Sequence, residues 1–188
     1  MTLFIVKMMK IPTITTTRLI LRPFIEADAE PLNSILREKD ILRYFPNPNP
    51  PSLERVQKFI TRQLDHWGEH KYGWWAVESI TQEGLIGWNG LQFLPETGEA
   101  EIGYLLSRSY WGNGLATEGA RAGLKFGFEA FSLERFIALV HPENKASIRV
   151  VEKLEMPIVD RAQYFDMYMN RYAMDRSLFQ ANQEKTLS

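Results

Sequence analysis

Hydrophobic and polar positions along the chain follow both of the periods that mark regular secondary structure. Residues 16–22 alternate loosely between polar and apolar side chains and end at Pro23, a pattern that predicts a first strand. In residues 52–67 the apolar positions recur at helical spacing instead. A helix is therefore predicted there, and Ser52 is a favourable residue to begin it.

Prolines and turn residues divide the rest of the chain into short elements. Four prolines between Tyr44 and Ser52 remove backbone donors and exclude regular structure there. Asp28 and Pro31 suit the start of a helix that runs to about Lys39. The other predicted strands are 73–79, 84–94, 99–106, 135–140, 159–163 and 167–176, and the other predicted helices are 116–131 and 146–154. Strands joined by turns dominate the middle of the chain, which predicts an α+β fold with a central twisted, mostly antiparallel sheet.

Length and composition favour one soluble domain. The 188 residues suit a single domain, with a core over about 14–176 and a flexible polar tail over about 180–188. A net charge of −1 gives no sign of the basic surface of a nucleic-acid binder, and the lack of cysteine excludes disulfides and thiolate metal sites. The apolar run at 3–6 is too short for a signal peptide, and no run approaches the roughly 20 residues of a membrane span. We therefore expect a cytoplasmic protein that binds neither nucleic acid nor a membrane.

A glycine-rich loop, Gly112-Asn113-Gly114, joins a predicted strand to a predicted helix. Such a loop leaves several backbone N–H groups unpaired at the helix N-terminus, where the helix dipole adds partial positive charge. A phosphate or pyrophosphate satisfies both, and small residues let it approach the backbone. A dinucleotide-binding loop would need Gly or Ala where Thr117 stands, and the nucleoside-triphosphate motif is absent from the sequence. A helix start that merely contains glycines is the alternative.

Three segments taken together are more specific than this loop alone. They are residues 17–23 (TRLILRP), residues 101–118 with the pieces EIGY and YWGNGLATE, and residues 138–147 (ALVHPENKAS). In this order they resemble the GCN5-related N-acetyltransferase (GNAT) superfamily, and within it the branch named for ribosomal-protein N-terminal acetyltransferases. The resemblance covers roughly residues 14–176. It implies a GNAT-like fold that moves an acetyl group from acetyl-CoA to a primary amine without a metal.

The resemblance also implies where acetyl-CoA binds. The strand ending near Leu106 should splay from the strand at 135–140, and the pantetheine arm should enter the gap. The pyrophosphate should bind the glycine loop, where Trp111 replaces the Arg or Gln usual in the superfamily and backbone donors carry the binding. Asn144 should cap the last helix, reach the pantetheine amide, or do both. The cofactor-binding residues implied are Leu105, Leu106, Ser107, Trp111, Gly112, Asn113, Gly114, Leu115, Ala116, Thr117, Asn144 and Ser147.

Acetyl transfer from a thioester requires a neutral amine, a donor for the oxyanion and a leaving thiolate. A backbone N–H at 105–106 is the implied oxyanion donor. Glu101 is the candidate base, acting through water, and a solvated strand carboxylate is the alternative. The tyrosine acid of many superfamily members falls at Val151 here, so Ser147 is the first substitute and Tyr104 the second.

The acceptor site is the least defined part of this interpretation. Asn89 is a polar residue in an apolar strand and is a candidate to bind the acceptor, as are Trp75 and Trp88, for which core packing is the alternative. The acceptor itself stays open between a protein N-terminus, an amino acid, a polyamine and an antibiotic. His66 and His70 are four residues apart, but no HExxH pattern surrounds them, so we expect no metal site.

Two positions depart from the family pattern. The vacant tyrosine position at Val151 slightly favours a non-catalytic acyl-CoA-binding sensor or interaction module over an enzyme. Glu155 stands where the family usually has glycine, which puts the local turn in doubt if the glycine has a positive φ. The sequence does not fix the oligomeric state, and a homodimer is one candidate.

Overall fold

The computed structural model describes residues 10–187, so the apolar run at 3–6 lies outside the described residues. The strands are β1 (Ile14–Thr15), β2 (Leu19–Arg22), β3 (Trp74–Ser79), β4 (Leu85–Leu94), β5 (Glu99–Leu106), β6 (Arg135–Val140), β7 (Ile158–Tyr164) and β8 (Met167–Asp175). The helices are α1 (Ala29–Leu36), α2 (Leu53–His70), α3 (Leu115–Ala130), α4 (Lys145–Lys153) and α5 (Arg176–Leu187). Within this part of the chain, no helix is long and apolar enough to cross a membrane.

The strands form one sheet in the order β1-β2-β3-β4-β5-β6-β8-β7. Neighbours pair antiparallel except β5 and β6, which are parallel because the chain crosses from one to the other through α3. The predicted α+β fold with a mostly antiparallel sheet is therefore confirmed, and so are its strands to within a few residues.

Apolar side chains cover both faces of this sheet. On one face α1 and α2 pack through residues such as Leu32 and Ile60 against Ala76 of β3. On the other face α3 packs through Leu124 against the core that contains Leu91 of β4. The functional groups described next lie where these layers meet the only parallel strand pair among the described residues.

Two helix starts were predicted from their capping residues, and both helices begin there, but only one of the two side chains makes the capping hydrogen bond. Ser52 caps α2 as predicted, since its hydroxyl accepts from Arg55 N–H at 3.3 Å. Asp28 precedes α1 but makes no side-chain cap to it. Its buried carboxylate instead accepts from both terminal nitrogens of Arg22, at 2.8 and 2.7 Å, and from Ile25 N–H. A buried carboxylate is stabilised more by a charged guanidinium than by a helix N–H, so the ion pair prevails.

A flexible polar tail was predicted over about 180–188, and the structure gives this segment a regular conformation. Helix α5 continues past Phe179 to Leu187, so most of the segment is helical. Phe179 is buried and stacks on Phe128 of α3, with ring centroids 4.7 Å apart. That packing anchors the first half of α5 against α3.

The turn after α4 contains the departure from the family that the sequence indicated. Glu155 has a φ of 59°, in the left-handed region that favours glycine. The turn therefore keeps a glycine-type backbone although the residue has changed.

Candidate active site

Strands β5 and β6 separate inside the sheet and leave a gap between them. They pair at Ala100–Phe136 and Glu101–Ile137 and at no later position among the described residues. Beyond this point β5 follows β4 and β6 follows β8, since each is hydrogen-bonded along its length to that other neighbour. The predicted splayed strand pair is therefore confirmed.

A cavity of about 240 Å³ lies at this gap. It is bounded by the two separating strands, by the start of α4, by the proline-rich segment and by the β7–β8 turn. The lining residues include Tyr44, Phe45, Trp74, Trp88, Gln92, Glu101, Tyr104, Leu139, His141, Asn144, Ser147 and Phe165.

The β4–β5 register decides which backbone groups of β5 face the gap. Ser107 N–H donates to Ile86 O of β4 at 2.8 Å, and hydrogen-bonding direction alternates along an antiparallel strand. The N–H and C=O of Leu105 therefore also point to β4, whereas those of Tyr104 and Leu106 point into the gap. Of the implied segment 105–107, only Leu106 presents its backbone to the gap.

Ser107 and Trp111 use their polar groups within the protein. The Ser107 hydroxyl donates to Glu38 Oε1 at 2.7 Å, so neither its side chain nor its N–H faces the gap. The Trp111 indole N–H donates to Leu106 O at 2.6 Å. The indole N–H is therefore hydrogen-bonded to the Leu106 carbonyl and is not available to donate to a phosphate.

The phosphate loop, residues 111–117, has an open backbone. Gly112 and Gly114 have φ values of 78° and 77°, and a Cβ added at Gly112 would meet nothing within 4 Å. The first helical bond of α3 runs from Glu118 N–H to Gly114 O, and no side chain caps the helix from Gly114. The N–H groups of 115–117 therefore have no intrahelical acceptor, and unpaired donors at a helix N-terminus can bind an anion.

Arg18 at the start of β2 holds this loop, a role that the sequence did not reveal. Its guanidinium contacts Glu118 and donates through Nη1 to Asn113 O at 2.9 Å. Burial acts to raise the pKa of Glu118, but hydrogen bonds from Thr16 and Arg18 outweigh it and lower the pKa. The carboxylate is therefore ionised at neutral pH and maintains its ion pair with Arg18. We call the contacts of Arg18 with Glu118 and Asn113 O the clamp.

Glu101 lies at the point where β5 and β6 separate. Its Oε1 lies 3.4 Å from Leu139 N–H of β6, and its side chain lines the cavity. Burial raises the pKa of Glu101 to about 7, a hydrogen bond from Leu139 opposes that shift, and the charge of Glu96 adds to it. A carboxyl group with this pKa can both accept and release a proton near neutral pH, which a solvated carboxylate does poorly.

Tyr104 and the start of α4 supply the other polar groups of the gap. The Tyr104 hydroxyl donates to Ser147 O at 3.3 Å, and burial raises its pKa, so it stays protonated. Asn144 caps α4, as predicted, by accepting from Ser147 N–H at 3.1 Å. This cap uses Oδ1 and leaves the amide nitrogen for another contact. Val151 is fully buried in the core, and Tyr104 lines the cavity from β5.

Of the three predicted acceptor-binding residues, the structure brings only Trp88 to the cavity. Asn89 points to the opposite face, under α3, where Cβ atoms added at Gly119 and Gly123 would lie 3.0 and 3.5 Å from its amide. Trp75 lies on that same face, packed on Phe126, and donates to Pro12 O. Both residues belong to the core because successive residues of a strand face opposite sides of the sheet.

Several cavity residues were not among the predicted site residues. Trp74 stacks on Trp88 with ring centroids 4.0 Å apart, Gln92 lies opposite Glu101, and Phe165 reaches the cavity from the β7–β8 turn. Alternation could have placed Trp74 with Trp88 once one of them was assigned. The turn residue could not have been placed from pattern alone.

The histidine pair is engaged in packing and hydrogen bonds. His66 Nδ1 lies 2.9 Å from Tyr72 O, and its Nε2 accepts from Phe93 N–H. His70 stacks on Phe93 with ring centroids 4.9 Å apart. Within residues 10–187, no cluster of three or more potential metal ligands is found.

Known proteins match this chain in sequence and in fold. A family model described as an acetyltransferase (GNAT) domain matches residues 18–157. The uncharacterized N-acetyltransferase YoaA of Bacillus subtilis (strain 168) is 32% identical over 144 residues, which cover 76% of this chain and 81% of that protein. An acetyltransferase from Agrobacterium tumefaciens str. C58 aligns with a TM-score of 0.78 at 26% identity, over 88% of this chain and 95% of that chain.

A further structural match is more distant in sequence. The ribosomal L7/L12 alpha-N-protein acetyltransferase RimL, in complex with coenzyme A, aligns with a TM-score of 0.76 at 20% identity, over 89% of this chain and 99% of that chain. At this identity the match concerns the fold. The family assignment rests on the family model over residues 18–157 and on the bacterial relative at 32% identity. The chain therefore belongs to the GNAT acetyltransferase family and is an acetyl-CoA-dependent N-acetyltransferase.

Proposed function

We propose that the cavity at the β5–β6 gap is the catalytic centre, where Glu101 takes a proton from a primary amine as the amine attacks the acetyl thioester. The observation that carries this proposal is the position of Glu101: its carboxyl group lines the cavity where the two strands part, and burial raises its pKa to about 7. A base with this pKa is matched to neutral pH.

The chain's own groups fit acetyl-CoA at both ends of the gap. The uncapped N–H groups of 115–117 suit the pyrophosphate, and Arg18 fixes the loop that presents them. The Leu106 N–H faces the gap and suits the developing oxyanion. Asn144 and Tyr104 both line the cavity and both contact Ser147, and the thioester end of the pantetheine arm would lie beside them.

The proposed transfer balances with two protein groups. The amine nitrogen forms a bond to the acetyl carbon, the carbon–sulfur bond breaks, and its electron pair leaves on sulfur. Glu101 receives the proton that the amine loses, and Tyr104 donates the proton that sulfur takes up. Solvent then restores both residues, and the products are an N-acetyl amide and free coenzyme A.

One experiment separates an enzyme from a non-catalytic sensor. Acetyl-CoA at one hundred times its dissociation constant should stabilise the fold by about 2.7 kcal/mol, a shift of several degrees in Tm. Thiol release measured with a panel of primary amines, with products identified by mass spectrometry, should then show turnover. A rise in Tm without thiol release from any amine would support the sensor and contradict the proposed transfer.

A further inference from the structure

Two buried polar atoms at the cavity have no hydrogen-bond partner within the described residues. They are Gln92 Oε1 and Trp74 Nε1, and both residues line the cavity. Gln92 lies directly opposite Glu101 in the β4–β5 register, so the two side chains project from the same face of the sheet. A buried acceptor without a partner is costly, and a ligand N–H at Gln92 Oε1 would supply the missing bond.

The cavity has little charge for a site that binds a polycation. Among the described residues that line it, Glu101 is the one acidic side chain. Much of the rest is aromatic: Trp74 stacks on Trp88, and Phe45 meets Trp88 edge-on with ring centroids 6.3 Å apart. A polyamine brings two or more ammonium groups, and each buried ammonium requires its own carboxylate. An amine with one nitrogen and an apolar body fits these walls better.

An aromatic residue in an unfavourable backbone conformation completes the walls. Phe165 and Asp166 form the two-residue turn between β7 and β8, with φ values of 51° and 61°. Asn or Gly suits such a turn, and a bulky residue at positive φ is uncommon. The Phe165 ring lines the cavity although 42% of the residue remains exposed. Together Phe45, Trp74, Trp88 and Phe165 form the aromatic wall.

These observations define a class of acceptor, and this step rests on the proposed amine acetylation. We infer that the acceptor is a monoamine with an apolar or aromatic body. Its nitrogen lies between Gln92 Oε1 and Glu101, and its body packs against the aromatic wall. Gln92 is thus a positioning residue: its Oε1 accepts an N–H of the amine, and this bond directs the nitrogen lone pair toward the gap.

Matched amines test this class directly. Butylamine and 1,4-diaminobutane differ by one ammonium group, and 2-phenylethylamine adds an aromatic body to a single amine. We expect kcat/KM for butylamine to exceed that for the diamine by about tenfold or more, with 2-phenylethylamine at least equal to butylamine. A preference for the diamine would overturn the inference and leave the proposed function standing. Failure to acetylate any amine, with acetyl-CoA still raising Tm, would overturn the proposed function and the inference with it.

Variants at Gln92 test the positioning role. Gln92→Leu should raise KM for both monoamines about tenfold and leave the Kd of coenzyme A unchanged. Gln92→Glu adds a second carboxylate and should shift the ratio of kcat/KM values about tenfold toward 1,4-diaminobutane. Gln163→Leu, on the exposed side of β7, is the matched control and should change neither. A folded Gln92→Glu protein with an unaltered ratio would contradict the inference.

Substitution of Phe165 separates an effect on the stability of the turn from an effect on binding of the amine. Phe165→Asn should raise Tm because asparagine tolerates the left-handed turn. It should also raise KM for 2-phenylethylamine several-fold more than KM for butylamine, since the aromatic contact is lost. Equal effects on the two amines would remove Phe165 from the acceptor site.

Discussion

Arg18 and Glu118 are 100 residues apart in sequence and form an ion pair that fixes the phosphate loop. The Arg18 nitrogens Nε and Nη2 lie 2.7 and 2.6 Å from Glu118 Oε2, and the Arg18 backbone N–H donates to Oε1 at 2.8 Å. The remaining terminal nitrogen holds Asn113 O. The start of β2 therefore determines the shape of a loop that lies between β5 and α3.

Removing this clamp should weaken coenzyme A binding without unfolding the protein. Arg18→Gln loses the bonds to Glu118 and Asn113, so we expect the Kd of coenzyme A to rise about tenfold, equivalent to about 1.4 kcal/mol. Arg135→Gln breaks the ion pair of a similarly exposed arginine with Asp175, at the first residue of β6, and serves as the control. Calorimetric titration of both variants checks this, and equal Kd values for the two would refute the clamp.

A side chain in the phosphate loop should abolish coenzyme A binding. Gly114→Val places a branched residue at a φ of 77° in the cradle beside the unpaired N–H groups. Gly98→Val is a matched control, because Gly98 has a φ of 69°, has nothing within 4 Å of an added Cβ and lies in the β4–β5 turn. Both variants should lose similar stability, and only Gly114→Val should lose binding. Retained affinity in folded Gly114→Val would place the pyrophosphate elsewhere.

The proton acceptor should determine the pH dependence of turnover. Activity should rise with pH through about 7, since Glu101 works as a base only after losing its proton. Glu101→Gln should lower kcat about 10²–10⁴-fold at neutral pH with little change in acetyl-CoA affinity. The loss should shrink as pH approaches the pKa of the amine, because more amine is then neutral without help. A small loss of the same size at every pH would retire Glu101 from catalysis.

The same residue should limit the stability of the fold above neutral pH. The pKa of Glu101 is raised from 4.5 to about 7, so between these values the unfolded chain releases a proton that the folded chain retains. Stability falls with rising pH across that window and then levels off. Glu101→Gln cannot ionise at this position and avoids this loss. Its free energy of unfolding should exceed that of the wild type by at most about 3 kcal/mol above pH 7, and this advantage should be absent below pH 4.5. Urea unfolding at several pH values measures the difference.

The turn after α4 should tolerate glycine better than its present residue. Glu155 is exposed at a φ of 59°, where glycine has no steric penalty. Glu155→Gly should stabilise the protein by up to about 1 kcal/mol. Glu152→Gly, within α4 and equally exposed, should instead destabilise by about 1 kcal/mol. Thermal unfolding measures both variants, and shifts of Tm in opposite directions would confirm this prediction. A similar decrease of Tm in both variants would contradict it.

Local sequence pattern predicted most strands and helices, because each element buries one face and its apolar residues therefore recur with the period of a strand or a helix. It did not predict which face of the sheet holds the cavity. Alternation separates Asn89 from Trp88, but only the packing of α3 shows that Asn89 lies beneath a helix. Arg18 and Gln92 were missed for a related reason, since their partners are set by strand register and by contacts far away in sequence.

The short junction between β5 and β6 has a consequence for the life of the protein in a cell. The strands share just two residue pairs along their described lengths, so the two halves of the sheet are hydrogen-bonded to each other at one end of the gap. A ligand in the gap would contact both halves and oppose their separation. Binding free energy adds to the free energy of unfolding, and proteases act on opened chains. The protein with acetyl-CoA in the gap should therefore resist proteolysis longer than the empty protein.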